Sequence, residues 1–229
     1  MKITSFGDIT VMAPAAMAIT AWLVIGRAWR MALWWCLLFA TGMSLVVATK
    51  IAFIGWGIGI RSLDFTGFSG HSMRATAVIP VLFYLILQKA PPIARASGVL
   101  LGIVFGVIIG ISRLVLDAHS VSEAVAGGIL GAMVSLGFIW IFGPSQKFVL
   151  YRSLIALSLI ALRALPYAES APAPTQRWIT CVELYLSGHD RPFVRQGWKF
   201  APIELDSPKE VQEGYFCPTP PRQAPMSMH

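Results

Sequence analysis

The sequence predicts an all-α, polytopic membrane bundle of about six transmembrane helices, and three observations predict it. Hydrophobic residues fill 56% of the 229 positions and charged ones only 13%. The apolar residues come in long blocks, near 9–26, 31–58, 72–88, 97–116, 121–142 and 148–165. Each is close to the ~20 residues that carry a helix across ~30 Å of hydrocarbon. The third observation is where the basic residues fall. Arg27 and Arg30, Lys89 and Arg95, and Lys147 and Arg152 lie in or beside the first, third and fifth connections, with no acid among them. By the positive-inside rule that face is cytoplasmic, so both termini and the second and fourth connections face outward. The formal net charge of +7 is then a topology signal, and a nucleic-acid partner has nothing left to explain.

The first block follows Lys2 and Asp8. Without a strongly basic start it reads as a retained helix, not a cleaved leader. Trp22, Trp29, Trp34 and Trp35 cluster at the cytoplasmic boundary, as an interfacial aromatic belt does. In the second block Cys36 reads as a small apolar filler. Lys50 must snorkel or face a polar cavity, because charge in hydrocarbon is costly. Pro80 is expected to bend the third helix. In the fourth, Gly98, Gly102, Gly106 and Gly110 recur on one face, and the fifth answers with Gly127, Gly131 and Ser135. Small residues at this spacing let backbones approach, so the fourth and fifth helices are expected to pack tightly on each other. Homodimerisation through the same ridge is a second use. The sixth block carries Arg163 near its end and runs into ALPYAESA, whose small residues would suit a cleavage point.

The transmembrane domain therefore spans 1–165 and an extracytoplasmic tail spans 166–229. The tail holds ten of the fifteen prolines and two of the three cysteines, Cys181 and Cys217. In an oxidising compartment their pairing would contribute ~3–4 kcal/mol for a loop of this length. WITCVELYL, 178–186, alternates as a short strand does. A disordered Pro-rich tail is the competing reading.

The polar residues that remain are concentrated on the outward side. IRSLDFTGFSGH, 60–71, joins the second and third blocks, and SRLVLDAHSVSE, 112–123, joins the fourth and fifth. Arg61, Asp64, Ser69, Gly70, His71, Arg74, Ser112, Arg113, Asp117, His119 and Glu123 can thus converge on one surface. Guanidinium and ammonium groups beside two imidazoles suit a phosphate. Backbone N–H groups around Gly70, at a helix start, would add to the same charge. His119 and Glu123 stand four apart, on one helical face. A carboxylate on one ring nitrogen fixes the tautomer and leaves the other to attack. His71 can then protonate the leaving group. Asp64 reads equally well as a turn cap, and Arg74 and Asp117 as membrane-edge charges.

SGH at 69–71 and SR-x5-H-x3-E at 112–123 resemble the second and third motifs of the type 2 phosphatidic acid phosphatase superfamily, over roughly residues 31–142. The resemblance implies a membrane lipid phosphatase working through a phosphohistidine. His119 matches the nucleophile, Glu123 its orienting partner, and His71 the leaving-group acid. Ser69, Gly70, Ser112 and Arg113 match phosphate-holding positions, with Arg61 and Lys50 as the first-motif cations. No metal or cofactor is implied, and the four His and three Cys show no ligand spacing.

The chain differs from the family pattern at three points. Phe68 stands where Pro usually precedes SGH, and Glu123 where Asp is usual. The Lys-to-Arg interval is eleven residues instead of seven, which on a straight helix raises the separation from ~10 to ~16 Å. The glycines of GWGIGI, 55–60, let the segment unwind or fold back to close that gap. The expected substrate is a lipid phosphomonoester or pyrophosphate in the outer leaflet of a bacterial inner membrane. A non-catalytic lipid-phosphate-binding, transport or structural membrane protein is the alternative.

Overall fold

The structure is a computed structural model that describes residues 9–115, 120–143, 193–194 and 199–200. It is mostly helical. Helices α1 (Ile9–Ile25), α2 (Trp29–Trp56), α3 (Gly70–Ile86), α4 (Pro92–Val115) and α5 (Val121–Phe142) fall on the first five apolar blocks. Two short strands, β1 (Phe193–Val194) and β2 (Lys199–Phe200), pair antiparallel. Among the described residues α2, α4 and α5 are long and apolar enough to cross a membrane. Helices α1 and α3 have 17 residues each, or ~25 Å at 1.5 Å per residue, just short of the hydrocarbon core. The sixth block, the 178–186 stretch, Cys181 and Cys217 lie outside the described residues.

Helix α3 is the axle. Twelve of its residues are buried, on every side of the helix, which is the pattern of a helix enclosed by others. Helices α4 and α5 both lie along it. The glycine ridges are what let them, and this corrects the expectation that they serve a tight α4–α5 contact. A Cβ added at Gly102 would stand 2.7 Å from the N and Cα of Pro80, and one at Gly106 would stand 3.1 Å from the N and Cα of Thr76. Gly127 sits over the backbone of Ser69, and Gly131 over Met73 and Thr76. Glycine spacing reports that a backbone comes close, not which one. Helices α4 and α5 share α3 as their floor and touch each other much less.

Helices α1 and α2 form a hairpin turned at Arg27, whose φ is 58°, and pack on α3 and α5. Trp35, buried, donates its indole N–H to the carbonyl of Ala16 and packs edge-on to Phe138. Trp22 is buried too, whereas Trp29 and Trp34 are exposed. The expected aromatic belt is thus half core, because a tryptophan N–H supplied with a carbonyl partner can be buried. Cys36 corrects another expectation: it is exposed, 3.6 Å from the Thr20 hydroxyl, and fills no core.

Candidate active site

The connection from α2 to α3 is built to bring the chain back down. Helix α2 ends at Trp56, and Gly57 takes a left-handed conformation with φ 66°, accessible to glycine at little cost. Ile60 and Phe65 then exchange backbone hydrogen bonds of 2.9 and 3.0 Å around the single turn Arg61–Leu63. Asp64 closes that turn in a left-handed conformation. Gly67, at φ 147°, returns to lie on the backbone of Thr49 and Lys50. The Phe68 N–H donates to the Thr49 hydroxyl at 3.2 Å.

This return alters the arithmetic of the first motif. Lys50 lies six residues before the end of α2, ~9 Å below it along the axis. The loop descends by a comparable amount, so the SGH turn begins at the level of Thr49 and Lys50. The segment folds back, and α2 remains helical through Trp56. Lys50 is half-buried, whereas Arg61 is on the exposed turn above.

Ser69 caps α3. Its hydroxyl accepts from the Ser72 N–H at 3.5 Å and from the Ser72 hydroxyl at 3.3 Å. Ser69 is fully buried, Gly70 is buried, and His71 is partly exposed in the first turn. Arg74, one turn on, is only 8% exposed, and its guanidinium folds back over Gly70. A Cβ at Gly70 would stand 3.0 Å from that group. A permanent cation is therefore held at the positive end of the α3 dipole.

Glu123 ties this turn to α5. One carboxylate oxygen accepts the Thr66 N–H at 2.9 Å and also the Thr66 hydroxyl; the other accepts the Ser120 N–H at 3.3 Å. The Ser120 hydroxyl accepts the Glu123 N–H, which completes a capping box. The Glu123 carbonyl takes the Ser69 N–H at 3.1 Å. Ser122 adds a hydrogen bond of 2.7 Å to the Leu63 carbonyl. Glu123 is 1% exposed, so an amide that faces any of these donors with its own NH2 would leave buried groups unmatched. Glu123→Gln is expected to cost ~1–3 kcal/mol, read as a lower thermal midpoint of the detergent-purified protein.

Helix α4 contributes Ser112, whose hydroxyl donates to the Ile109 carbonyl at 2.7 Å, and the backbone position of Arg113 in its last turn. Asp117 and His119 lie outside the described residues; His119 immediately precedes Ser120, the cap of α5. The structure thus joins Ser69, Gly70, Arg74 and Glu123 with the Thr49–Lys50 step, and Arg61 is exposed at the start of the turn above. Thr49, Thr66 and Ser72 were not singled out from the sequence. Their signal was small hydroxyls beside charged or glycine positions in otherwise apolar surroundings. At the far end, Phe193 of the tail rests edge-on against Phe53, over Gly57.

The chain is 36% identical over 198 residues to an uncharacterized 22.5 kDa protein in the cps region of Klebsiella pneumoniae, which covers 84% of this chain and 94% of that relative. It is 30% identical over 95 residues to phosphatidylglycerophosphatase B of Bacillus subtilis (strain 168), covering 41% of this chain and 45% of the relative. No solved structure matches. The family model described as the PAP2 superfamily matches residues 59–147, a span that holds the SGH turn, its α5 anchor and both histidines. The chain belongs to the PAP2 superfamily, whose members are generally phosphoester hydrolases.

Proposed function

We propose that this protein is a membrane lipid phosphatase that hydrolyses a lipid phosphomonoester or pyrophosphate through a phosphohistidine. The observation that carries the reading is the docking of the SGH turn on the first turns of α5. Through Glu123 and Gly127 the two histidine-bearing motifs become neighbours, with His71 in one and His119 one residue ahead of the other. The substrate phosphate enters among Ser69, Gly70, Arg74, Arg113 and Lys50. A nitrogen of His119 attacks phosphorus in line while the bond to the lipid oxygen breaks. His71 gives that oxygen its proton. Water then displaces the imidazole and leaves as part of inorganic phosphate. The cations and the α3 N-terminus stabilise the equatorial charge in both steps.

Six spanning helices, with the site and the tail on the outer face of a bacterial inner membrane, follow from the distribution of basic residues. A Cys181–Cys217 disulfide would suit that compartment. Phosphatidylglycerol phosphate, phosphatidic acid, undecaprenyl pyrophosphate and phosphorylated lipid A all present a head this site could hold.

The test is phosphate release by the detergent-purified protein, with chelator present, from that panel of lipids. Release from one or more supports the enzyme. Retained lipid binding without release would favour the non-catalytic reading. Arg74→Ala is expected to raise KM for a hydrolysed lipid about ten- to a hundredfold, as loss of a charge-assisted hydrogen bond does. Arg74→Lys should recover part of the loss, and inhibition by free phosphate should weaken in parallel.

A further inference from the structure

Because α4 and α5 both rest on α3, they leave between them a cleft with a volume of about 290 Å³. Its floor is Ser72 and Thr76; its walls include Val107 and Ile111 of α4 and Val125 and Ile129 of α5. Those four wall residues are half-exposed, so one long side of the cleft is open. Only Ser72 and Thr76 among the lining residues bear polar side chains. The Thr76 hydroxyl is already spent on the carbonyls of Ser72 and Gly128, at 2.7 and 3.1 Å. The interior therefore offers almost nothing to a polar ligand.

Position and direction identify the occupant. The lining runs from Leu114 to Ile103 on α4 and from Ala124 to Ala132 on α5, ~12–16 Å along the helices. Its head end is the layer that carries Ser112, Glu123 and the α3 cap, and Ser72 on its floor donates to Ser69, the first residue of SGH. From there it runs down two helices that are apolar and long enough to cross a membrane. A lipid phosphate has the same layout, a charged head joined to a hydrocarbon chain that descends into the bilayer.

We infer that this α4–α5 cleft holds a hydrocarbon chain of the lipid whose phosphate sits at the SGH turn, and so selects substrates by chain. The inference rests on the phosphatase reading for the identity of the head. Gly128 keeps the cleft open: a Cβ placed there meets nothing within 4 Å, and the residue lines the cleft.

Gly128→Leu adds a branched side chain at this lining position, where its Cβ meets nothing within 4 Å. Gly137→Leu, on the same helix and equally open but outside the cleft, is the control. Rates would be compared on dioleoyl phosphatidic acid and its dihexanoyl analogue, with the full chain in detergent. In Gly128→Leu the preference for the long-chain lipid is expected to fall at least about tenfold, since even one methylene in an apolar pocket is worth that much. Gly137→Leu should leave it unchanged. An unaltered preference in Gly128→Leu would overturn the inference. So would a collapse of thermal stability in Gly128→Leu alone, which would mean that another part of this chain fills the cleft. A second readout needs no turnover. Phosphatidic acid with a diazirine on its acyl chain should label 103–114 and 124–132 in the wild type, and that labelling should be lost in Gly128→Leu. Labelling with no hydrolysis of any lipid in the panel would sink the phosphatase reading and leave the cleft standing. Hydrolysis with labelling indifferent to Gly128→Leu would do the reverse.

Discussion

His119→Ala is expected to lower phosphate release by at least about a thousandfold, the scale on which a lost nucleophile acts when the surrounding groups cannot substitute for it. The protein should otherwise remain intact. The bonds of Glu123 to the Thr66 and Ser120 N–H groups are made to backbone that the substitution leaves in place. The comparison that gives the result meaning is His71→Ala. A general acid matters in proportion to how badly the leaving oxygen needs a proton. His71→Ala should therefore be severely impaired on a lipid phosphate and much less so on p-nitrophenyl phosphate, whose leaving group departs as a stable anion. His119→Ala should fail on both. Loss of both substrates in both variants would mean that the two histidines share one role, and the assignment of acid and nucleophile would fall.

The second large effect comes from one methyl group. Gly127→Ala would put a Cβ 3.0 Å from the N and 3.2 Å from the carbonyl carbon of Ser69, with the carbonyl oxygen nearer still. These are backbone atoms at the start of the SGH turn and cannot swing aside. Overpacking of this kind costs ~1–3 kcal/mol, against which alanine regains at most ~1 kcal/mol of helix propensity. The functional loss should exceed the stability loss. Moving the SGH turn by a fraction of an ångström separates the phosphate clamp from the α5 motif, and misplacement near 1 Å costs on the order of a hundredfold in rate. Gly128→Ala is the internal comparison. The neighbouring residue faces open space, so its alanine should hold or raise the thermal midpoint. A matching loss of stability in both variants would show that α5 is sensitive to any added methyl and that the Ser69 contact is not special.

The five described helices were legible because length and apolar composition suffice to mark them. What the pattern could not show was which helix stood in the middle. Helix α3 is among the shorter ones, yet it takes the glycine faces of both α4 and α5, and nothing in a Gly-x3-Gly ridge names its partner. Trp35 failed for a related reason: its place at a block end suggested an interface, but its N–H partner, Ala16, is on another helix.

Of the two ways the GWGIGI glycines allowed the first-motif segment to come back, unwinding or folding back, the chain takes the second. Eleven residues between Lys50 and Arg61 put Lys50 too deep only if the loop stays above the helix end. The Gly67 return to Thr49 is a tertiary contact that spacing does not encode. Glu123 had a clearer signal. SVSE, 120–123, is a capping-box pattern, and it accounts for a glutamate where the family usually has aspartate. The longer arm reaches both the cap N–H and Thr66.

The hydrogen bonds from Thr66 and Ser69 to Glu123 join residues 57 and 54 positions apart, and this has a consequence for biosynthesis. A chain is made from its N-terminus at about 5–20 residues per second. When the SGH turn is translated, the residue that fastens it is still 54 positions from being made. The SGH turn acquires its finished shape only once α5 arrives. A ribosome halted before Glu123 would thus leave a nascent chain with an unfastened SGH turn, so that this turn is completed later than the helix it begins.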